Sequence, residues 1–227
     1  MYDLMLGALR VSLVTWVLCG LVYPLVLTGL AQWLMPSQAN GGLVMGERGE
    51  VIGARLIGQD WQGPERFHGR PSATTAADPQ DPDKTLPTPY NAASSAASNL
   101  GPASKALRDR LSADRASLQQ AQPELAGKPL PADMLTASAS GLDPDISPAN
   151  ALLQAPRVAR ARGVPASEIE ALVAQHVAGR VLGIFGEPRV NVLDLNLALE
   201  RRFTTHGQAV AGGSFPRDPA LARTAGK

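Results

Sequence analysis

The sequence predicts an α+β protein: one N-terminal transmembrane helix followed by a single mixed domain of helices and strands. Three observations predict it. No charged side chain occurs from Val11 to Met35. In the roughly 190 residues that remain outside this stretch, enough for one domain, apolar alternation and helical apolar spacing are mixed without a βαβ rhythm. Gly and Pro number 22 and 19, so turns divide the chain into short elements.

The uncharged stretch is about 25 residues, or roughly 37 Å of helix, enough to cross a ~30 Å hydrocarbon layer with some tilt. A cleaved signal peptide normally has a shorter apolar core, and Ser37-Gln38-Ala39 is a poor cleavage site. Arg10 flanks the N-terminal side, and the other flank has no Lys or Arg before Arg48. This charge bias favours residues 1–10 in the cytoplasm, 11–35 in the membrane and 36–203 outside. Trp33 stands near the outer end, where indoles favour the interface. Trp16, Gly20, Pro24, Thr28 and Gln32 recur every fourth residue and form one stripe. Gly20, Pro24 and Thr28 make that stripe suitable for packing against other helices, and Pro24, which opposes a bond to the Gly20 carbonyl, predicts a kink.

Asn40-Gly41-Gly42 predicts a hinge, and Val51 to Gly58 a strand. Phe67 is a candidate core anchor. Pro71 to Pro89 is rich in Pro, Asp and Thr and predicts a long surface loop. Asn91 to Asn99 is either a tight packing loop or a spacer. Ala103 to Gln122 predicts a helix with Leu107, Leu111 and Leu118 on one face and Asp109, Arg110, Asp114 and Arg115 largely outside it. Pro123 to Pro131 interrupts the pattern, and Met134 to Thr136 suggests a short strand. Ser147-Pro148 starts a helix, with Ser as the cap and Pro at the first position. That helix is expected to bend or restart at Pro156 and to stop at Gly163. Ser167 with Glu170 forms a capping-box pattern opening a helix to about Ala178. Val190 to Glu200 reads two ways: its leucines alternate as in a strand, and Asn191 is placed to cap a helix. Residues 204–227 read as a mobile tail.

Composition removes several function classes. With 21 basic against 20 acidic residues the net charge is +1, which excludes a strong electrostatic case for nucleic acid. The one cysteine, Cys19, lies in the apolar stretch, which excludes an intrachain disulfide. His68, His176 and His206 do not pair at metal-ligand spacing, and no Gly-x-Ser-x-Gly elbow is present. Of the lysines, Lys128 and Lys227 follow a Gly, but Gln122 and Leu221 stand where a phosphate loop needs its first glycine. No motif for a cofactor is evident. Asp83-Lys84-Thr85 resembles the phosphorylated motif of cation pumps, but Leu86 follows where that motif has Gly. Arg66, Arg70 and Ser72 suit an anion, against the alternative that Arg70 pairs with a carboxylate such as Asp143. Asp143-Pro144-Asp145 reads as a turn into the Ser147 helix.

Several ordered segments carry a resemblance. They are Leu56-Ile57-Gly58-Gln59, Phe67-His68-Gly69-Arg70-Pro71-Ser72-Ala73, Tyr90-Asn91, and Ser98-Asn99-Leu100-Gly101-Pro102. Thr136 to Pro144, Ile146-Ser147, the Gln154 to Arg162 stretch, Val190 to Leu193 and Leu195-Asn196-Leu197-Ala198-Leu199 follow. Behind one N-terminal span, this set resembles the C subunit of the Kdp-type potassium-transporting ATPase, from the span to about residue 200. Asp145 stands where many relatives are expected to have His or Asn, and the tail after Arg202 is long for the family.

The resemblance implies a non-catalytic, single-pass subunit of the bacterial inner membrane. Its implied partners are a channel-like potassium-binding subunit, a P-type ATPase subunit and a small single-span subunit. It also implies a catalytic chaperone that raises the ATP affinity of the pump subunit, so that ATP binding belongs to the complex. Arg70, Ser72, Ser98, Asn99, Asp143, Asn191 and Asn196 are candidate structural or partner-packing residues within the matching segments. Two readings of other classes stand beside it: an anchored extracytoplasmic serine hydrolase using Ser98 or Ser140, and an anchored solute-binding module.

Overall fold

A computed structural model describes residues 1–203 apart from Glu47 and Pro82; the expected mobile tail, 204–227, lies outside the described residues. The chain divides into two compact units, Met1–Ala54 and a second that begins at Arg55.

The first unit opens with a helix from Tyr2 to Leu34, 33 residues with a mean hydropathy of 2.0 and none of its apolar window buried. It comprises α1 (Tyr2–Val17), a π-helical turn (Leu18–Val22) and α2 (Tyr23–Leu34). Pro24 sits in the first turn of α2 and cannot donate to the Gly20 carbonyl. The backbone meets the expected conflict by widening: the Tyr23 amide reaches back five residues to the Leu18 carbonyl. The short α3 (Pro36–Ala39) follows. Gln32, at the end of the predicted stripe, exchanges amide hydrogen bonds with Asn40 at 3.2 and 3.3 Å. Its side chain therefore closes the helix end. Gly41 and Gly42 have φ of 85° and 61° and turn the chain into β1 (Leu43–Met45), which pairs antiparallel with β2 (Val51–Ala54). The expected strand to Gly58 ends early, at Ala54, and Leu56 is exposed.

The second unit is mixed, as predicted. Residues 71–89 are not a structureless loop: β3 (Thr75–Ala77) and β4 (Thr85–Pro87) form an antiparallel hairpin. Ala and Pro make poor strand signals and leave Thr75 and Thr85 isolated; the pairing is closed by a backbone bond from Asp78 to Lys84. α4 (Lys105–Ala121) has no fully buried residue. Leu107, Leu111 and Leu118 share its covered face, but Arg110 and Asp114 are half-buried there too, contrary to expectation. The reason is that Arg110 turns inward to the Leu135 carbonyl. Leu125, in a 3-10 turn (Pro123–Leu125), is fully buried. The strand expected at 134–136 is instead a 3-10 turn (Ala132–Met134), stabilised by the Thr136 hydroxyl bonding the Ala132 carbonyl.

β5 (Asp145–Ile146) leads into α5 (Pro148–Arg162), where Ser147 caps the Asn150 amide and Gly163 ends the helix at φ 68°. The helix does not restart at Pro156. The bond that Pro156 cannot make belongs to the carbonyl of Leu152, an exposed residue that water can reach. α6 (Ala166–Gln175) begins with Pro165 as cap, so Ser167 is not the capping residue, and the chain beyond it forms β6 (Val177–Ala178). Of the two readings of residues 190–200 the helical one holds: Leu193, Leu195, Leu197 and Leu199 are all helical, and only Val190 and Asn191 lie in a strand. β7 (Arg189–Asn191) is the central strand of β5-β7-β6, and Asn191 then caps α7 (Val192–Arg202). α5 presents Ala151, Ala155 and Ala159 at four-residue spacing, which lets Ile169, Leu172 and Val173 of α6 approach closely. Val190, Val192, Leu195, Leu199 and Phe67 complete this core.

Candidate functional site

Phe67 reaches the core from a segment that belongs to no sheet, so its backbone groups need partners. Two side-chain amides supply them. Asn196 of α7 accepts from the Phe67 amide at 2.8 Å and donates to the Phe67 carbonyl at 2.9 Å. Gln154 of α5 does the same for His68, at 2.8 and 3.0 Å. The pair imitates the ladder a neighbouring strand would provide. Arg157 then donates to the carbonyls of Gly63, Pro64 and Arg66 and to Gln154 Oε1.

Ser147, Asn150, Gln154 and Arg157 follow a 3-4-3 spacing, so they form one polar row along α5. Asn150 links the two sides of this row: its Oδ1 accepts from Gln154, and its side-chain amide nitrogen donates to Asp133 Oδ2. Asp133 also accepts from the amide and hydroxyl of Ser147. Burial pushes the Arg157 guanidinium below its ordinary pKa. The same burial, with the positive charge of Arg157 second, lowers that of His68, whose Nε2 lies 2.7 Å from the Gly63 carbonyl.

A second knot lies at the end of this segment. Arg70 Nη1 donates to Asp143 Oδ2 at 2.9 Å. The Ser72 hydroxyl donates to the Gly141 carbonyl at 2.7 Å and accepts from the Tyr90 amide at 3.0 Å. Tyr90 Oη donates to the Arg70 carbonyl at 2.7 Å, and burial raises its pKa. A Cβ on Gly69 would collide with Tyr90 Oη, and one on Gly58 would meet Tyr90 Cε1 at 2.5 Å. Close approach of the ring therefore requires glycine at both positions. Between the two knots is a cleft of about 280 Å³ bordered by Trp61, His68, Arg70, Tyr90, Gln122 and Gln154. Arg66 stacks over Trp61 at 5.6 Å. These polar groups chiefly bind the chain to itself, so the arrangement is one that rigidifies a surface.

The family model for the K+-transporting ATPase c chain matches residues 5–201. This chain belongs to the KdpC family. The curated relatives carry the name "Potassium-transporting ATPase KdpC subunit". One from Methylobacterium nodulans is 56% identical over 200 residues, covering 86% of this chain and 98% of the relative. One from a Bradyrhizobium species is 57% identical over 193 residues, covering 85% and 94%. A Rhodopseudomonas palustris relative is 59% identical over 182 residues, covering 80% and 88%.

In this member of the KdpC family, Arg70, Ser72, Asp143 and Asn196 fall within the two knots. Arg70 takes the carboxylate partner rather than presenting a free anion site. Asn191 caps α7 and also donates to the Arg55 carbonyl and Asp145 Oδ1. Burial raises the Asp145 pKa, opposed by that Asn191 bond and by Arg189. Ser98 is half-buried and the exposed Asn99 has φ 51°; among the described residues no hydrogen bond brings either into the knots. Among the described residues, neither His68 nor His176 bonds a serine: His176 Nδ1 faces the Leu172 carbonyl. Ser140 Oγ accepts from the Leu142 amide. The polar row on α5 and the inserted ring of Tyr90 carry much of the site without any role read from the sequence. The row was visible as polar residues at helical spacing among alanines, whereas nothing local to Tyr90 signals its partners.

Proposed function

We propose that this chain is a non-catalytic accessory subunit of the potassium-transporting ATPase, anchored through residues 11–35, with residues 36–203 as an extracytoplasmic domain. The observation that carries this reading is where the polar groups go. Gln154, Arg157 and Asn196 hold backbone, and Arg70 holds Asp143, so the second unit is a rigid body suited to bracing other subunits. The uncovered apolar helix needs lipid or neighbouring helices around it. Gly20, Pro24 and Thr28 form the stripe that packs on those neighbours, which are the channel-like, P-type ATPase and small single-span subunits. The site of action is the bacterial inner membrane, with the N-terminus in the cytoplasm. An effect on the ATP affinity of the pump subunit then acts through conformation: a bound subunit shifts an equilibrium by binding its states unequally.

Deletion of the gene segment for this chain is expected to reduce the detergent-extracted complex and its potassium-stimulated ATPase activity together. A fully assembled and fully active complex without it would refute the proposal. Protease added to sealed, right-side-out vesicles is expected to cleave beyond residue 36, and protection of that region would reverse the orientation.

A further inference from the structure

The hairpin that joins β6 to β7 carries four large apolar side chains into solvent. Val181, Leu182, Ile184 and Phe185 are 56%, 85%, 73% and 64% exposed. The loop is nonetheless well ordered by its own bonds. Val181 and Phe185 exchange both backbone hydrogen bonds, at 2.9 and 3.0 Å. Arg180 closes the base with two bonds to Glu187, at 2.8 and 2.9 Å. Leu182 has φ 53°, a left-handed conformation in which an L side chain is unfavourable and Asn or Gly is the usual occupant. Hydration and backbone preference both oppose a leucine at this tip, so its side chain needs a partner from outside the described chain.

We infer that loop 179–188 is a preformed knob that inserts into an apolar recess on a co-anchored subunit of the same ATPase. This rests on the accessory-subunit reading and deepens it by naming the surface. Two observations select this occupant. The exposed tip presents an apolar patch of a few hundred Å², the size at which such patches are often functional, but short of the about 800 Å² per partner that a free-standing complex buries. It therefore suits a contact inside an assembly that the membrane anchors already hold together, and does not suit a dimer of this chain. The flanking charges are also already neutralised: Arg180 pairs with Glu187, and Arg189 pairs with Asp145 at 3.0 Å. A loop built for an anionic lipid surface keeps its cations available, and this one does not. An uncharged recess in a protein meets both conditions.

The test uses the full chain in its complex. Cys19 is replaced by serine, and an environment-sensitive dye is attached after Ile184→Cys. Dye emission is expected to move to shorter wavelength in the purified complex and to stay at its aqueous value when the chain alone is reconstituted in vesicles of the same lipid. Paired Leu182→Asp and Phe185→Asp substitutions are expected to lower recovery of the chain with its partners about tenfold or more. Paired Leu86→Asp and Leu152→Asp substitutions, an equal charge change at other exposed apolar sites, are expected to leave recovery unchanged. An equal shift in vesicles without partners, an aqueous emission in the intact complex, or unchanged recovery of the double variant would each overturn the inference. Failure of the unmodified chain to co-purify with any partner would instead overturn the accessory-subunit reading.

Discussion

At the residue scale, one imidazole and one ring report on the polar segment. Burial and the Arg157 charge keep the His68 pKa below its ordinary value, so the unfolded chain takes up a proton before the folded one does. The stabilising contribution is complete above the unfolded pKa and falls as pH drops through and below about 6.5. Melting temperature is expected to decline between about pH 7 and pH 5, and His68→Gln is expected to flatten that decline. An unchanged slope in the variant would show that His68 is not the titrating group. Tyr90 offers a second test. Gly69→Ala sets a methyl against Tyr90 Oη and is expected to cost about 1–3 kcal/mol by overpacking. Tyr90→Phe removes the opposing oxygen together with its bond to Arg70, so the double variant is expected to be more stable than the sum of the single losses predicts. Denaturant midpoints of the four proteins give the coupling, and strict additivity would contradict the contact.

At the scale of elements, two asparagines of α7 separate local from tertiary work. Asn191→Ala removes a helix cap and two outer bonds, to the Arg55 carbonyl and Asp145, and is expected to cost about 1–2 kcal/mol. Asn196→Ala, one turn along the same helix, leaves the buried amide and carbonyl of Phe67 unsatisfied, with an expected loss of about 2–5 kcal/mol. Chemical denaturation of both variants checks the order, and equal losses would remove the idea that Asn196 substitutes for a strand. The cap was one of two readings the sequence offered, because capping depends on residues three apart while the leucines alternated as in a strand. The start of α5 at Ser147 was legible from the same three-residue spacing. The role of Asn196 was not, because its partner is 129 residues away in sequence. The β3–β4 hairpin was missed because its strands are three residues each, with single threonines set among Ala and Pro, too short for alternation to show.

At the scale of the whole molecule, the expected outcome is that the two units separate. Residues 55–203, expressed without the anchor, are expected to be monomeric and to unfold in one cooperative transition, read by sedimentation and thermal denaturation. The full chain is expected to need detergent, because a 33-residue helix with none of its apolar window covered has no aqueous solution. A soluble, monomeric full chain would refute the span. What the amino-acid sequence by itself determined was an N-terminal apolar helix long enough to span a bilayer, the mixed α and β character, the cap at Ser147, and Phe67 as an anchor. Each of these depends on composition or on neighbours within a few residues, where backbone geometry dictates which groups can meet. The tertiary structure alone decided that Arg70 meets Asp143, that Gln154 and Asn196 pair with the backbone of residues 67 and 68, and that the apolar residues of 181–185 stay outside the core. Those outcomes depend on which distant surfaces compete for burial and hydrogen bonds, and no local spacing encodes that competition.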